Sequence, residues 1–112
     1  MTIERPVSAY DAGSTRVIVV SGEIDVLYVD VLRDVFDEAI QRAPAELVVD
    51  LADLAFIESM GLGVLITSYR RAERSGITVR LARPSPFVRK LLQGMGMLPH
   101  FRVDEDWRPA SG

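Results

Sequence analysis

Runs of strand-like and helix-like pattern alternate along this chain, and that alternation restricts its fold more than any single residue does. "TRVIVVSGEI" and "ELVVDL" are rich in β-branched residues, and positions 17–20 are apolar without a break, as in a central strand buried on both faces. From about residue 28 to 43, Leu32, Val35, Phe36, Ala39 and Ile40 recur at helical spacing, while Asp30, Arg33, Asp34, Asp37, Glu38 and Gln41 fall mostly elsewhere; the helix ends before Pro44. "GLGVLITSYRRAERSG" repeats the pattern with an inward stripe of Leu62, Leu65, Ile66, Tyr69 and Ala72 and with Gly76 as its stop. "ITVRLA" is a further strand. "SPFVRKLLQGMG" starts a third helix with Ser85 as N-cap and Pro86 at its first position, turning Phe87, Val88, Leu91 and Leu92 inward. "HFRV" is read as a last short strand. Strands separated by helices need crossover connections and hence parallel neighbours. At the start, "VSAY" and "TRVIVVSGEI" flank the turn-forming "DAGS", which makes an antiparallel hairpin. The expected class is therefore α/β: one small domain whose mixed sheet is opened by a hairpin, with helices packed against it.

Length and composition fit this. The 112 residues, 48% hydrophobic, suit a single domain over 1–112 with a core at about 7–103 and a loose, acidic, proline-containing tail at 104–112. A net charge of −3 supplies no general attraction to nucleic acid or to an anionic membrane. The balance is uneven: residues 1–56 carry 11 acids and 4 bases, residues 57–112 carry 5 acids and 9 bases. No cysteine is present, which excludes a disulfide framework and a thiolate metal site and suits the cytoplasm. "MTIERPVSAYDAG" lacks the apolar run of a signal peptide, and no later stretch approaches ~18 uninterrupted apolar residues, so membrane insertion is not expected.

Catalytic patterns are missing. Gly61-Leu62-Gly63 follows a strand and opens a helix, yet a dinucleotide loop needs a small residue where Ile66 stands. The glycines instead suit close approach of backbone to a neighbouring strand or to a partner. His100, the only histidine, has no second ligand of the kind a metal site needs. Asp50 and Asp53 read as a strand end and a loop turn, and Arg70, Arg71 and Arg74 as a solvated helix face. Met95 and Met97 read as irregular core filling. No enzyme, cofactor or metal is expected.

One residue stands apart. In "LAFIESMGLGVLI", Ser59 follows an acid and precedes a helix. A serine there caps the helix, worth about 1 kcal/mol. The same place, beside unpaired N–H groups and the positive end of the helix dipole, suits a phosphate on the hydroxyl.

"GEIDV", "VVDLADLAFIESMGLGVL" and "PSPFVRKLLQGMGMLPHFRV" together resemble the STAS domain of bacterial anti-sigma factor antagonists, over about residues 14–103. The resemblance implies a partner-switching protein. Unmodified, it would bind an anti-sigma factor that is also a serine kinase and so free the sigma factor. Phosphorylation by that kinase would break the complex, and a serine phosphatase would restore it. The phosphoacceptor position is matched by Ser59, and the partner-facing rim by Asp25, Glu58, Ser59, Met60, Gly61, Leu62 and Gly63. Glu58 replaces the family's usual aspartate and Met60 its second hydroxyl residue, which leaves a single hydroxyl in the motif. The alternative role is a non-switching STAS subunit of a transporter or stress-signalling assembly, with Ser59 only capping its helix.

Overall fold

The computed structural model describes residues 5–109. Strands β1 (Val7–Ala12) and β2 (Thr15–Val20) form the antiparallel hairpin, closed by Gly13 and Ser14 with Gly13 at φ +63°, a turn conformation that glycine adopts without a Cβ clash. β4 (Glu46–Asp50), β6 (Thr78–Ala82) and β7 (Val103–Asp104) join in parallel on the far side of β2, in the order β1-β2-β4-β6-β7. Between β2 and β4 and between β4 and β6 run two shorter strands, β3 (Gly22–Ile24) and β5 (Leu54–Ile57), which pair only with each other.

Helices α1 (Val29–Gln41), α2 (Ser59–Arg74) and α3 (Pro86–Gly94) are the crossovers. Because the parallel strands accrue in one direction, right-handed crossovers put all three helices on one face of the sheet. The main core lies there: Ile18, Leu47, Val49 and Leu81 from the sheet meet Leu32, Phe36, Leu65, Tyr69 and Leu92 from the helices, all essentially inaccessible. Each such large side chain contributes about 1.5–3 kcal/mol of burial. The opposite face carries a smaller cluster, Val17, Val48 and Ala82, flanked by Tyr10, Val19 and Trp107. It is edged by ion pairs, Arg83 with Asp50 at 2.9 Å and Arg80 with Asp104 at 3.0 Å and with Glu46.

Several boundaries differ from those expected. The run at 15–24 is two strands, because Gly22 at φ +68° turns the chain out of the main sheet after β2. The first helix begins with a 3₁₀ turn, Val26–Tyr28, ahead of α1. A second 3₁₀ turn, Leu98–His100, replaces the start of the expected last strand, which is only β7. The expected loose tail is placed in part. Asp104 pairs with Ala82 in β7, and Trp107 lies on the sheet with the Arg83 guanidinium 5.6 Å from its ring centre. Residues 110–112 of that tail lie outside the described residues. Met97 packs against the core as expected, but Met95 is exposed. Ser85 and Pro86 open α3 as predicted, Ser85 Oγ accepting the Val88 N–H at 3.3 Å and donating to Leu54 O at 2.6 Å. Gly76 follows α2 at φ +85°.

Candidate partner-docking site

The two central crossovers are built alike: a sheet strand, a short ribbon strand, an acid, then a helical turn. β3 and β5 run in parallel beyond the carboxyl ends of β2 and β4, with Ile24 opposite Ile57, so they end side by side. In α/β sheets that end of the strands is where partners and ligands dock. The Glu58 N–H donates to Ile24 O at 2.9 Å and ties the two ends together. Asp25 follows one strand and Glu58 the other.

Both acids cap what comes next. Asp25, in extended conformation, accepts the Leu27 N–H at 2.9 Å, and its carbonyl accepts the Tyr28 N–H at 3.1 Å. Glu58, also extended, accepts the Met60 N–H through its carboxylate and the Leu62 N–H through its carbonyl at 2.9 Å. The cap of α2 is therefore Glu58 and not Ser59, which corrects the expectation by one position. The physical reason is where the helix starts: Glu58 is the last extended residue, the conformation a cap needs, whereas Ser59 is already the first helical residue. Ser59 becomes the first helical residue, is exposed, and its hydroxyl makes no hydrogen bond among the described residues.

The rest of the segment divides between surface and support. Met60 is 59% exposed, and Gly63 is exposed with open space where a Cβ would stand. Gly61 and Leu62 are buried, so they seat the helix rather than present side chains. A Cβ on Gly61 would lie 3.1 Å from Ile57 Cγ1 and 3.3 Å from Ile24 Cγ2. The two glycines thus answer to different constraints: Gly61 to close approach of α2 to the ribbon, Gly63 to an open surface.

Two residues on this rim were not singled out from the sequence. Val26 and Leu27, in the turn capped by Asp25, are 59% and 79% exposed. Their signal was present in "DVLY", where apolar residues follow the acid outside the helical stripe of α1. Around them Glu23, Asp25 and Glu58 form no salt bridge among the described residues, which leaves the rim negative.

The other candidates fall elsewhere. Asp50 accepts the Ala52 N–H at 3.1 Å and pairs with Arg83, as a turn residue. Arg70, Arg71 and Arg74 are exposed about three to four turns along α2 from Ser59, Arg71 pairing with Asp37. His100 is exposed beside Arg70, Glu73 and Arg74. Among the described residues there is no cluster of three or more metal-ligating side chains, and no helix is long and apolar enough to cross a membrane.

The family model for the STAS domain matches residues 7–110. An anti-sigma F factor antagonist from Paenibacillus polymyxa is 35% identical over 82 residues, covering 72% of this chain and 70% of that protein. The fold is also similar to the solved structures of the anti-sigma factor antagonist SpoIIAA, at 27% identity. Its unphosphorylated form gives a TM-score of 0.73, with 89% of each chain covered. The phosphorylated form, from Bacillus, gives 0.71 and covers 89% of this chain and 92% of that one.

Proposed function

This chain belongs to the STAS-domain family of anti-sigma factor antagonists, and from that premise we propose that it is a phosphorylation-controlled antagonist acting in the cytoplasm. Its unmodified form binds a serine-kinase anti-sigma factor and frees the sigma factor held by that partner. The observation that carries the reading is the exposed, unbonded hydroxyl of Ser59 at the first position of α2, on an acidic and apolar rim. That a similar antagonist has been solved in both phosphorylated and unphosphorylated forms supports it.

The switch follows from the chemistry at Ser59. In the complex, Ser59 Oγ attacks the γ-phosphorus of the kinase's ATP, ADP leaves, and the hydroxyl proton passes to a base on the kinase. The product adds a charge of about −1.5 to −2 in a contact made of Met60, Gly63 and two acids. Phosphate there faces the carboxylate of Glu58 and the phosphates of the nucleotide that donated it, and its bulk separates Met60 and Gly63 from the partner's apolar surface. All three terms favour release. A serine phosphatase reverses the modification, and the protein itself performs no catalysis.

Partner capture from lysate with the unmodified protein, followed by mass spectrometry and a kinase assay on the purified partner, tests this. Recovery of an ATPase-like anti-sigma factor that places one phosphate on Ser59 is the expected result. Recovery of transporter or scaffold subunits alone would support the non-switching alternative and contradict the proposal.

A further inference from the structure

The twin construction of the rim places one apolar knob after each acid. In Asp25-Val26-Leu27 and in Glu58-Ser59-Met60 the acid binds the N–H two residues on, and in both the residue so held is apolar and largely exposed: Leu27 at 79%, Met60 at 59%. The parallel register of β3 and β5 sets the two units side by side, with Val26 and Ser59 at equivalent positions. The first unit is anchored at both ends. Tyr28 packs against the core, Val29 is buried, and Asp25 caps the turn from Val26 to Tyr28, which leaves Val26 and Leu27 pointing outward. An exposed leucine held this way gives up little freedom on binding.

We propose that Val26, Leu27 and Met60 form one apolar docking ridge beside Ser59, occupied by a partner protein that presents an apolar cleft edged by Arg or Lys side chains. This rests on the switching function proposed above and names the part of the site that holds the partner before phosphorylation. Charge selects the occupant. Glu23, Asp25 and Glu58 lie unpaired around the ridge, so a basic margin is complementary to it. A second copy of this chain docking symmetrically would bring the same acids against each other. The ridge is also a specificity device, because two of its three residues, Val26 and Leu27, lie outside the phosphoacceptor segment.

The test titrates the purified kinase-type anti-sigma factor with unmodified wild-type protein, Leu27→Ser, Val26→Ser/Leu27→Ser and Leu27→Met. Val31→Ser serves as a control on another exposed apolar residue, in the groove between α1 and β1. Leu27→Ser is expected to raise Kd about ten-fold or more with an unchanged thermal midpoint, whereas Leu27→Met and Val31→Ser stay within about three-fold of wild type. Wild-type binding should weaken as salt rises from ~0.05 to ~0.5 M. Wild-type affinity in the double serine variant, with phosphorylation of Ser59 still breaking the complex, would overturn the ridge and leave the switch standing. A partner that binds no form of the protein would overturn both. Loss of a dimer on ultracentrifugation of isolated Leu27→Ser would assign the ridge to a second copy instead.

Discussion

The hydroxyl of Ser59 has no structural duty among the described residues, and its neighbour carries the cap. Ser59→Ala is therefore expected to change unfolding free energy by less than about 0.5 kcal/mol, and Glu58→Ala to cost about 1 kcal/mol, as urea titration of the two variants will show. A loss in Ser59→Ala equal to that in Glu58→Ala would return the cap to the serine. Tyr69 is the opposite kind of hydroxyl. It is buried, accepts the Arg102 N–H at 2.8 Å and donates to Val79 O at 3.3 Å, joining α2 to β6 and to the approach of β7. Tyr69→Phe strands both backbone groups and should cost about 1–3 kcal/mol. Burial also pushes the phenol above its ordinary value near 10. Since the folded state resists deprotonation, this stabilisation is complete below pH ~10 and is lost as pH rises through the raised value. Tyr10, raised by burial and then by Asp50, adds to the same alkaline fall. Stability measured across that range should fall less steeply in Tyr69→Phe than in wild type.

Among the elements, α2 carries the clearest division between fold and function. Gly61→Ala adds helix propensity of about 1 kcal/mol but sets a methyl 3.1 Å from Ile57 Cγ1 and 3.3 Å from Ile24 Cγ2, so both buried side chains must shift and a net loss of about 1–2 kcal/mol is expected. Gly63→Ala gains the propensity without a clash, and should raise the thermal midpoint while weakening partner binding by its added methyl. Calorimetry and titration of both variants check this: a stabilised Gly61→Ala, or a Gly63→Ala that binds as wild type does, would contradict it. The helices, the Ser85 cap of α3 and the Gly76 stop of α2 were legible in sequence because their signals are local, whereas the cap of α2 lies one residue earlier than the sequence suggests, on Glu58 instead of Ser59. The ribbon was not legible. β3 and β5 have three and four residues, β5 shows two consecutive exposed positions instead of alternation, and the break after Val20 is marked only by Ser21 and Gly22 within a stretch that reads as one strand. Ser59 and the glycines Gly61 and Gly63 stood out from the residues alone, whereas Asp25 and the partner-facing roles of Glu58, Met60 and Leu62 were found through a resemblance. That Asp25 and Glu58 come together at the paired ends of β3 and β5 depended on pairing between segments more than thirty residues apart.

In the whole molecule, one face of the sheet is spent on the helical core and the other is edged by internal ion pairs, so the negative rim at the end of the β3–β5 ribbon is where a partner finds unpaired charge together with exposed apolar side chains. The account turns on whether a single phosphate there governs association. Isothermal titration of the purified anti-sigma kinase with the unmodified protein, and then with protein phosphorylated stoichiometrically at Ser59, measures this directly. The account predicts that the phosphate maps to Ser59, since Ser68 and Ser85 are buried, and that affinity falls by about ten-fold or more, equivalent to about 1.4 kcal/mol. Equal affinity of the two forms, or a phosphate found on Ser75 in place of Ser59, would contradict it.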